Sequence, residues 1–418
     1  MFALSFTACT HKSNQLTEKR LLKIIENKDY FRLEILLKEK RSELSKDIAL
    51  YVDANLQNAF NRTGQSLQLI DVLLSHYSKS LNDTLLLKTY QLKCDNLVKQ
   101  SMYKEATEAL EIAIDKYGHA SDSTDMANMR DFFNVIEPLK ELSPQKMDLT
   151  NDITIPISRN QSNNVMIQVM SNGQPENFIF DTGAMFSVVS ESCAKRMGIR
   201  ILESGVNVGN SIGSKVQSKM GIADSLHIGK LLVENVPFLV IPDEMLSFPQ
   251  DNFFIHGILG FPVMYQMKEI TIQKDECLVV SAHPKKRDLH NLFLDGLSPI
   301  VQFEAEGDTV LFKIDTGADS SEFSEKYFVA NKDKIIKNAT SKSKKMGGAG
   351  GVIDSKVYEL ENVRLKICGQ ELTIPTIPVL TDKLSFIEDY DGNLGQDVLM
   401  HFNKLILNFD DMYLAFEN

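Results

Sequence analysis

The chain has 418 residues and a net charge of -11, with 43% hydrophobic and 24% charged side chains. That length favours two or three domains of ordinary globular composition, and the acidic balance argues against nucleic acid as a main partner. No apolar run reaches bilayer-spanning length, the five cysteines (Cys9, Cys94, Cys193, Cys277, Cys368) contain no CxxC pair, and the eight histidines contain no HExxH, so neither a structural metal nor a disulfide scaffold nor any cofactor is expected.

The chain opens on a small, apolar stretch, Met1 to Cys9, that passes into polar Thr10-His11-Lys12-Ser13-Asn14. Phe6-Thr7-Ala8-Cys9 resembles a bacterial lipobox, whose cysteine is lipidated after signal cleavage. The apolar region is short and lacks a basic n-region, which a start assigned too late would explain. The resemblance implies that residues 1–14 are a signal remnant and tether. It also implies lipid on Cys9, membrane attachment through it, and a place in the cell envelope (periplasmic or extracellular) rather than the cytoplasm. The other reading is a frayed terminus with a stray cysteine.

Residues 15–147 carry apolar side chains at helical period. Leu33, Leu36 and Leu37 fall at i, i+3, i+4. Ile48 to Phe60 and Leu67 to Tyr77 form one pair of helices, broken near Thr63-Gly64. Leu85 to Val98 and Tyr103 to Tyr117 form another, ending at the C-cap candidate Gly118. Ser121-Asp122-Ser123-Thr124-Asp125 reads as an N-cap cluster before a helix from Met126 to Leu139. The pairs resemble tetratricopeptide-like hairpins, though Sel1-like or irregular solenoid arrangements fit as well. The region is either a docking surface for a protein partner or substrate, or a spacer packed on the next domain. Ser143-Pro144 and Asp148 to Asp152 break the period and mark a boundary.

Beyond Asp152 the period drops from 3.6 to 2, as in Ile153-Thr154-Ile155-Pro156-Ile157. Asn172-Gly173 is a hairpin signal. Phe178-Ile179-Phe180 then runs into Asp181-Thr182-Gly183-Ala184. The same grammar returns 134 positions later (315 minus 181) as Phe312-Lys313-Ile314-Asp315-Thr316-Gly317-Ala318. Ser187 and Ser190 recur at the same offset as Ser321 and Ser324. Gly257-Ile258-Leu259-Gly260 recurs as Gly392-Asn393-Leu394-Gly395, and Glu269 to Ile272 as Lys404 to Leu407, at 135. An all-β unit is duplicated, at 150–281 and 299–418, with a polar and basic linker at 282–298. Each unit has a glycine-rich hairpin, near Ser211-Ile212-Gly213 and near Gly348-Ala349-Gly350. The second lacks the order of a phosphate loop, and β-type sequence comes after it.

A carboxylate at the end of an apolar run is costly unless it is used. One Asp-Thr-Gly is explained by a turn-forming aspartate; two in the same context are not.

These motifs resemble the aspartic proteases, each unit in the retropepsin manner and the duplicated chain in the bilobal manner of pepsin. The resemblance covers about Asp152 to Asn418. It implies an α+β multidomain chain: a helical, solenoid-like domain followed by a bilobal all-β protease fold. Asp181 and Asp315 would share a site and activate a water for hydrolysis of peptide bonds, without a metal. Thr182 and Thr316 would cross-brace the two loops, and Gly183 and Gly317 would let the backbone approach. Ser211, Ile212, Gly213, Gly348, Ala349 and Gly350 would close over a peptide or protein substrate. Ala184 and Ala318 stand where pepsin-like enzymes carry hydroxyls, which predicts activity at weakly acidic to neutral pH. Met185 stands where Asp319 stands in the other unit, and no arginine follows Gly260 or Gly395, so the usual brace is absent or replaced. The competing function is a pseudoprotease or lipid-anchored scaffold that binds peptides uncleaved.

Overall fold

The computed structural model describes residues 13–209, 215–248, 253–348, 351–383 and 389–418. A helical N-terminal region is followed by a β-rich region, an α+β multidomain arrangement.

Three helix pairs begin the chain: Gln15–Glu26 with Tyr30–Lys40, Lys46–Ala59 with Thr63–His76, and Asp83–Lys99 with Tyr103–Tyr117. Each pair is joined by three residues. The middle one (Lys28, Asn61 and Ser101) adopts positive φ in every case, which reverses the chain in the least length. Asn14, Asp29 and Asn82 cap the helices that follow them by accepting backbone N–H groups. Thr63-Gly64, expected as a break, instead opens the fourth helix. Gly118 does follow the sixth, but at φ -58. A Cβ there would meet the end of the Met126 side chain, which would have to shift. A seventh helix, Ser123–Ile136, is capped by Asp122.

The helix connectors dock on the β-rich region. Lys28 Nζ bonds Asp295 at 2.7 Å and Asp389 at 2.6 Å. Asn61 Nδ2 donates to the Phe409 carbonyl at 2.6 Å. Phe31 packs edge-on against Phe293 and His290. Leu292–Asp295, within the expected linker, is thus a strand whose Leu292, Phe293 and Leu294 are buried. The last helix lies against the strand Val206–Gly209, and Asp131 pairs with Lys215 across from it.

Two sheets carry the repeated motifs. In the first, Gln174–Phe180 runs parallel to Gly257–Leu259, which is antiparallel to Ser187–Ser190. In the second, Asp308–Ile314 runs parallel to Gly392–Leu394, which is antiparallel to Glu322–Phe323. The hairpins leading in also match. Asn172-Gly173 and Glu306-Gly307 both have positive φ at both positions, the type I′ geometry that suits strand twist.

A strand pairing relates the two units. Glu269–Gln273 pairs antiparallel with Lys404–Asn408, with Thr271 opposite Ile406 and Glu269 opposite Asn408. At an offset of 135, Ile406 is the equivalent of Thr271 and Asn408 of Gln273. Each residue therefore faces the symmetry mate of its reflection, which is what a local two-fold axis through Thr271 and Ile406 produces.

Lys28 is a cation shared by two carboxylates of the β-rich region. Burial pulls its ammonium toward the neutral form, but Asp295 and Asp389 outweigh it and raise its pKa overall. Lys28→Met leaves both carboxylates without that partner. The expected cost is about 1–3 kcal/mol, between surface and buried ion pairs, read by urea denaturation. A change below about 0.5 kcal/mol would show that this junction contributes nothing.

Candidate functional site

Each Asp-Thr-Gly loop starts where a buried strand stops. The Asp181 N–H donates to Leu259 O at 3.1 Å, and the Asp315 N–H donates to Leu394 O at 3.0 Å. The parallel neighbour strand therefore holds each loop at its first residue. The serines of the repeat complete the frame. Ser187 Oγ accepts from Gly260 N at 3.0 Å, and Ser321 Oγ accepts from Gly395 N at 2.9 Å. Ser190 and Ser324 cap the helices that follow.

The two loops are locked to each other. Thr182 Oγ1 donates to Ile314 O at 2.8 Å and accepts from Thr316 N at 3.1 Å. Thr316 Oγ1 donates to Phe180 O at 2.7 Å and accepts from Thr182 N at 3.0 Å. Both threonines are fully buried, so no water competes for these four bonds. The glycines are as reciprocal. A Cβ on Gly183 would fall on the Asp315 carboxyl, and one on Gly317 on the Asp181 carboxyl. Each carboxylate thus lies on the backbone of the opposite loop, a close approach only glycine permits.

The pair is half-buried and reaches the surface. Asp181 has its pKa raised to about 7, first by desolvation and then by the neighbouring Asp315 carboxylate; Lys313 and the Gly183 N–H oppose the shift. Two carboxyls this close do not both ionise readily.

The surroundings are unequal. Asp181 Oδ1 accepts from Gly183 N at 2.7 Å. Asp315 Oδ1 accepts from Gly317 N and from Ala318 N, both at 3.0 Å, and Oδ2 accepts from Asn393 Nδ2 at 3.1 Å. Lys313 Nζ donates to Gly183 O at 2.8 Å, and Asn164 Nδ2 donates to Gly317 O at 2.7 Å. Gln396 Nε2 donates to Thr316 O at 2.6 Å, and Arg159 Nη1 reaches Gln396 Oε1 at 3.3 Å. Gln396, which follows Gly395 where no arginine stands, thus links the second loop to Arg159 of the first unit. Sequence reasoning missed Lys313, Asn393 and Asn164. The one available signal was a lysine inside an apolar run, Phe312-Lys313-Ile314, where a charge is expensive without a partner.

Of the other expected site residues, Ala184 and Ala318 sit beside the pair, half-buried, and Gly348 ends the hairpin strand Thr340–Gly348. Ser211, Ile212, Gly213, Ala349, Gly350 and Cys9 lie outside the described residues. The strands flanking the two hairpins are paired, Val206–Gly209 with residues 215–218 and Thr340–Gly348 with residues 351–359. A strand, not a helix, follows the second glycine cluster. Among the described residues no group of three or more His, Cys, Asp or Glu side chains is arranged to hold a metal ion. No described helix is long and apolar enough to cross a membrane.

Residues 167–263 match a family model described as aspartyl protease. The match spans the first Asp-Thr-Gly and the Gly257 to Gly260 motif, and it supports an aspartic protease domain. No curated protein matches the chain.

The cross-brace can be tested through its hydroxyl. Thr182→Val leaves Ile314 O and Thr316 N buried without partners, at about 1–3 kcal/mol each. Thr182→Ser keeps the hydroxyl and loses only a methyl, about 1 kcal/mol. Denaturant midpoints should therefore order wild type, serine, valine. Equal midpoints for serine and valine would remove the hydroxyl from the account.

Proposed function

We propose that the chain is an aspartic endopeptidase of bilobal form, in which Asp181 and Asp315 act as one dyad on a water between them. The observation that carries this is the reciprocal bonding of Thr182 and Thr316, which makes two distant loops a single site. The aspartyl protease match over residues 167–263 supports the reaction class.

The inequality of the pair supports one division of roles. Three N–H donors face Asp315, a setting that suits an anion. Asp181 holds the shared proton. Asp315 accepts a proton from water as its oxygen attacks the peptide carbonyl carbon, and Asp181 donates to the carbonyl oxygen. The tetrahedral intermediate collapses as the C–N bond breaks and a proton passes to the leaving nitrogen. Lys313 and Asn164 touch loop carbonyls and act as positioning residues.

The substrate in this reading is a peptide or protein lying under the two hairpins. The helical domain, which touches the first hairpin's strand, is a second contact surface for a protein partner. Lipid on Cys9 and a cell-envelope location belong to the same reading, on the lipobox resemblance of Phe6 to Cys9.

Asp181→Asn and Asp315→Asn should each lower kcat/KM on a cleaved peptide by about 10²–10⁴. Wild-type-like cleavage by either variant would end the dyad mechanism.

The pH dependence has a definite sign. The acid must keep its proton, and with Asp181 raised to about 7 that form persists through weakly acidic pH and is lost as pH rises through 7. The alkaline limb of a kcat/KM profile is therefore expected near neutrality. A limb at or below pH 5 would show that the pair is not held in this state.

A further inference from the structure

The duplication exposes a facing pair of residues at which the two units differ in kind. In the first unit Val188 is opposite Ile258. At the same offsets in the second unit Glu322 is opposite Asn393. An apolar pair in one half is an acid and an amide in the other.

Side chains alternate along a strand, and this fixes where the second pair points. Phe323 faces the core, fully buried against Phe312 and Tyr327. Glu322 therefore faces the other way, and its register partner Asn393 shares that face. Asn393 Nδ2 donates to Asp315 Oδ2, which sets this face beside the dyad.

Both side chains have unused acceptors. Asn393 is 3% exposed and its Oδ1 has no partner. Glu322 is 6% exposed, and its carboxylate takes part in no hydrogen bond or ion pair among the described residues. The groups around it are Lys344, Asp315, Asp319 and Asp397. Burial and the three acids raise its pKa to about 7, against Lys344. Lys344 Nζ itself goes to Ser320 Oγ at 3.0 Å. The buried Asn393 amide oxygen without a donor is costly as it stands, and Glu322, an acid in a residue only 6% exposed, has no hydrogen-bonded cation of its own. A cation supplying several N–H donors would satisfy both.

We infer that Glu322 and Asn393 form a subsite for the ammonium or guanidinium of a basic substrate side chain, next to Asp315, while Val188 and Ile258 form its apolar counterpart next to Asp181. This deepens the protease reading and rests on it. The substrate is then a peptide with lysine or arginine on one side of the scissile bond and an aliphatic residue on the other. Ionised Glu322 pairs with the incoming cation as Lys344 stays on Ser320.

The test uses the full chain and peptide pairs that differ only by lysine against norleucine, which keeps the stem and removes the charge. Wild type should cleave the lysine member with a kcat/KM at least about tenfold higher. Glu322→Gln, of nearly the same shape, should bring that ratio close to one, as should Glu322→Val, which copies the first unit. An unchanged ratio in both variants overturns the subsite. A second readout is independent of cleavage. Asp181→Asn protein should bind the lysine peptide more tightly than the norleucine peptide by fluorescence anisotropy, and Asp181→Asn/Glu322→Gln should not. Lysine-selective binding without any cleavage by wild type upholds the subsite and overturns the hydrolase. Cleavage with no lysine preference does the reverse.

Discussion

Everything near the site depends on four hydrogen bonds between two buried threonines and the loops they face. Asp181 and Asp315 repel when both are charged, and the N–H bonds each carboxylate takes from its own loop do not tie that loop to the other. Thr182 and Thr316 do this by bonding across, each hydroxyl serving a carbonyl and an amide of the opposite unit. Because the hydroxyls are buried, the bonds escape solvent competition. The glycines, the alternating strands and the serine braces matter because they deliver the threonines to that meeting point.

The symmetry is one of backbone, not of chemistry. The two-fold through Thr271 and Ile406 places equivalent peptide groups in equivalent places. The side chains then depart from it in one direction. The second unit gains Lys313 for Ile179, Asn393 for Ile258, Glu322 for Val188 and Gln396 for Phe261. Asn393, Glu322 and Gln396 collect on the Asp315 side, while Lys313 reaches across to the Gly183 carbonyl beside Asp181. A site assembled from two identical copies would have to carry every such group twice. A single chain can distinguish its two carboxylates, one by desolvation and one by donors, and so give them different work.

The same contrast decides how much of the molecule is legible in its sequence. The Asp-Thr-Gly loops, Ser187 with Ser321 and Ser190 with Ser324 could be read because they recur at a constant offset, and each proves to make the same bond in both units. The helix pairs could be read from their period, since burial of one face requires it. Lys313, Asn393 and Glu322 break the repeat and Asn164 lies outside the matched positions, so none of the four was read, although Lys313 left a signal as a charge in an apolar run. For three of them the meaning lies in neighbours more than 70 positions away: Gly183 for Lys313, Asp315 for Asn393, Gly317 for Asn164. The connector residues Lys28 and Asn61 were hidden for the same reason. Nothing local marks a loop lysine as the partner of Asp295 and Asp389.

The strand pairing at the two-fold also sets an order of events in synthesis. Glu269–Gln273 takes its second neighbour from Lys404–Asn408, and that strand in turn pairs with Tyr413–Glu417. Translation delivers both of these strands more than a hundred residues after the one they close. Until then the first unit has emerged complete in its own motifs yet with an open sheet edge, the kind of surface that recruits foreign strands. Closure of that edge and the meeting of the two aspartates both wait on the second unit. For as long as that unit is still in the ribosome, the nascent chain holds only one of its two Asp-Thr-Gly loops.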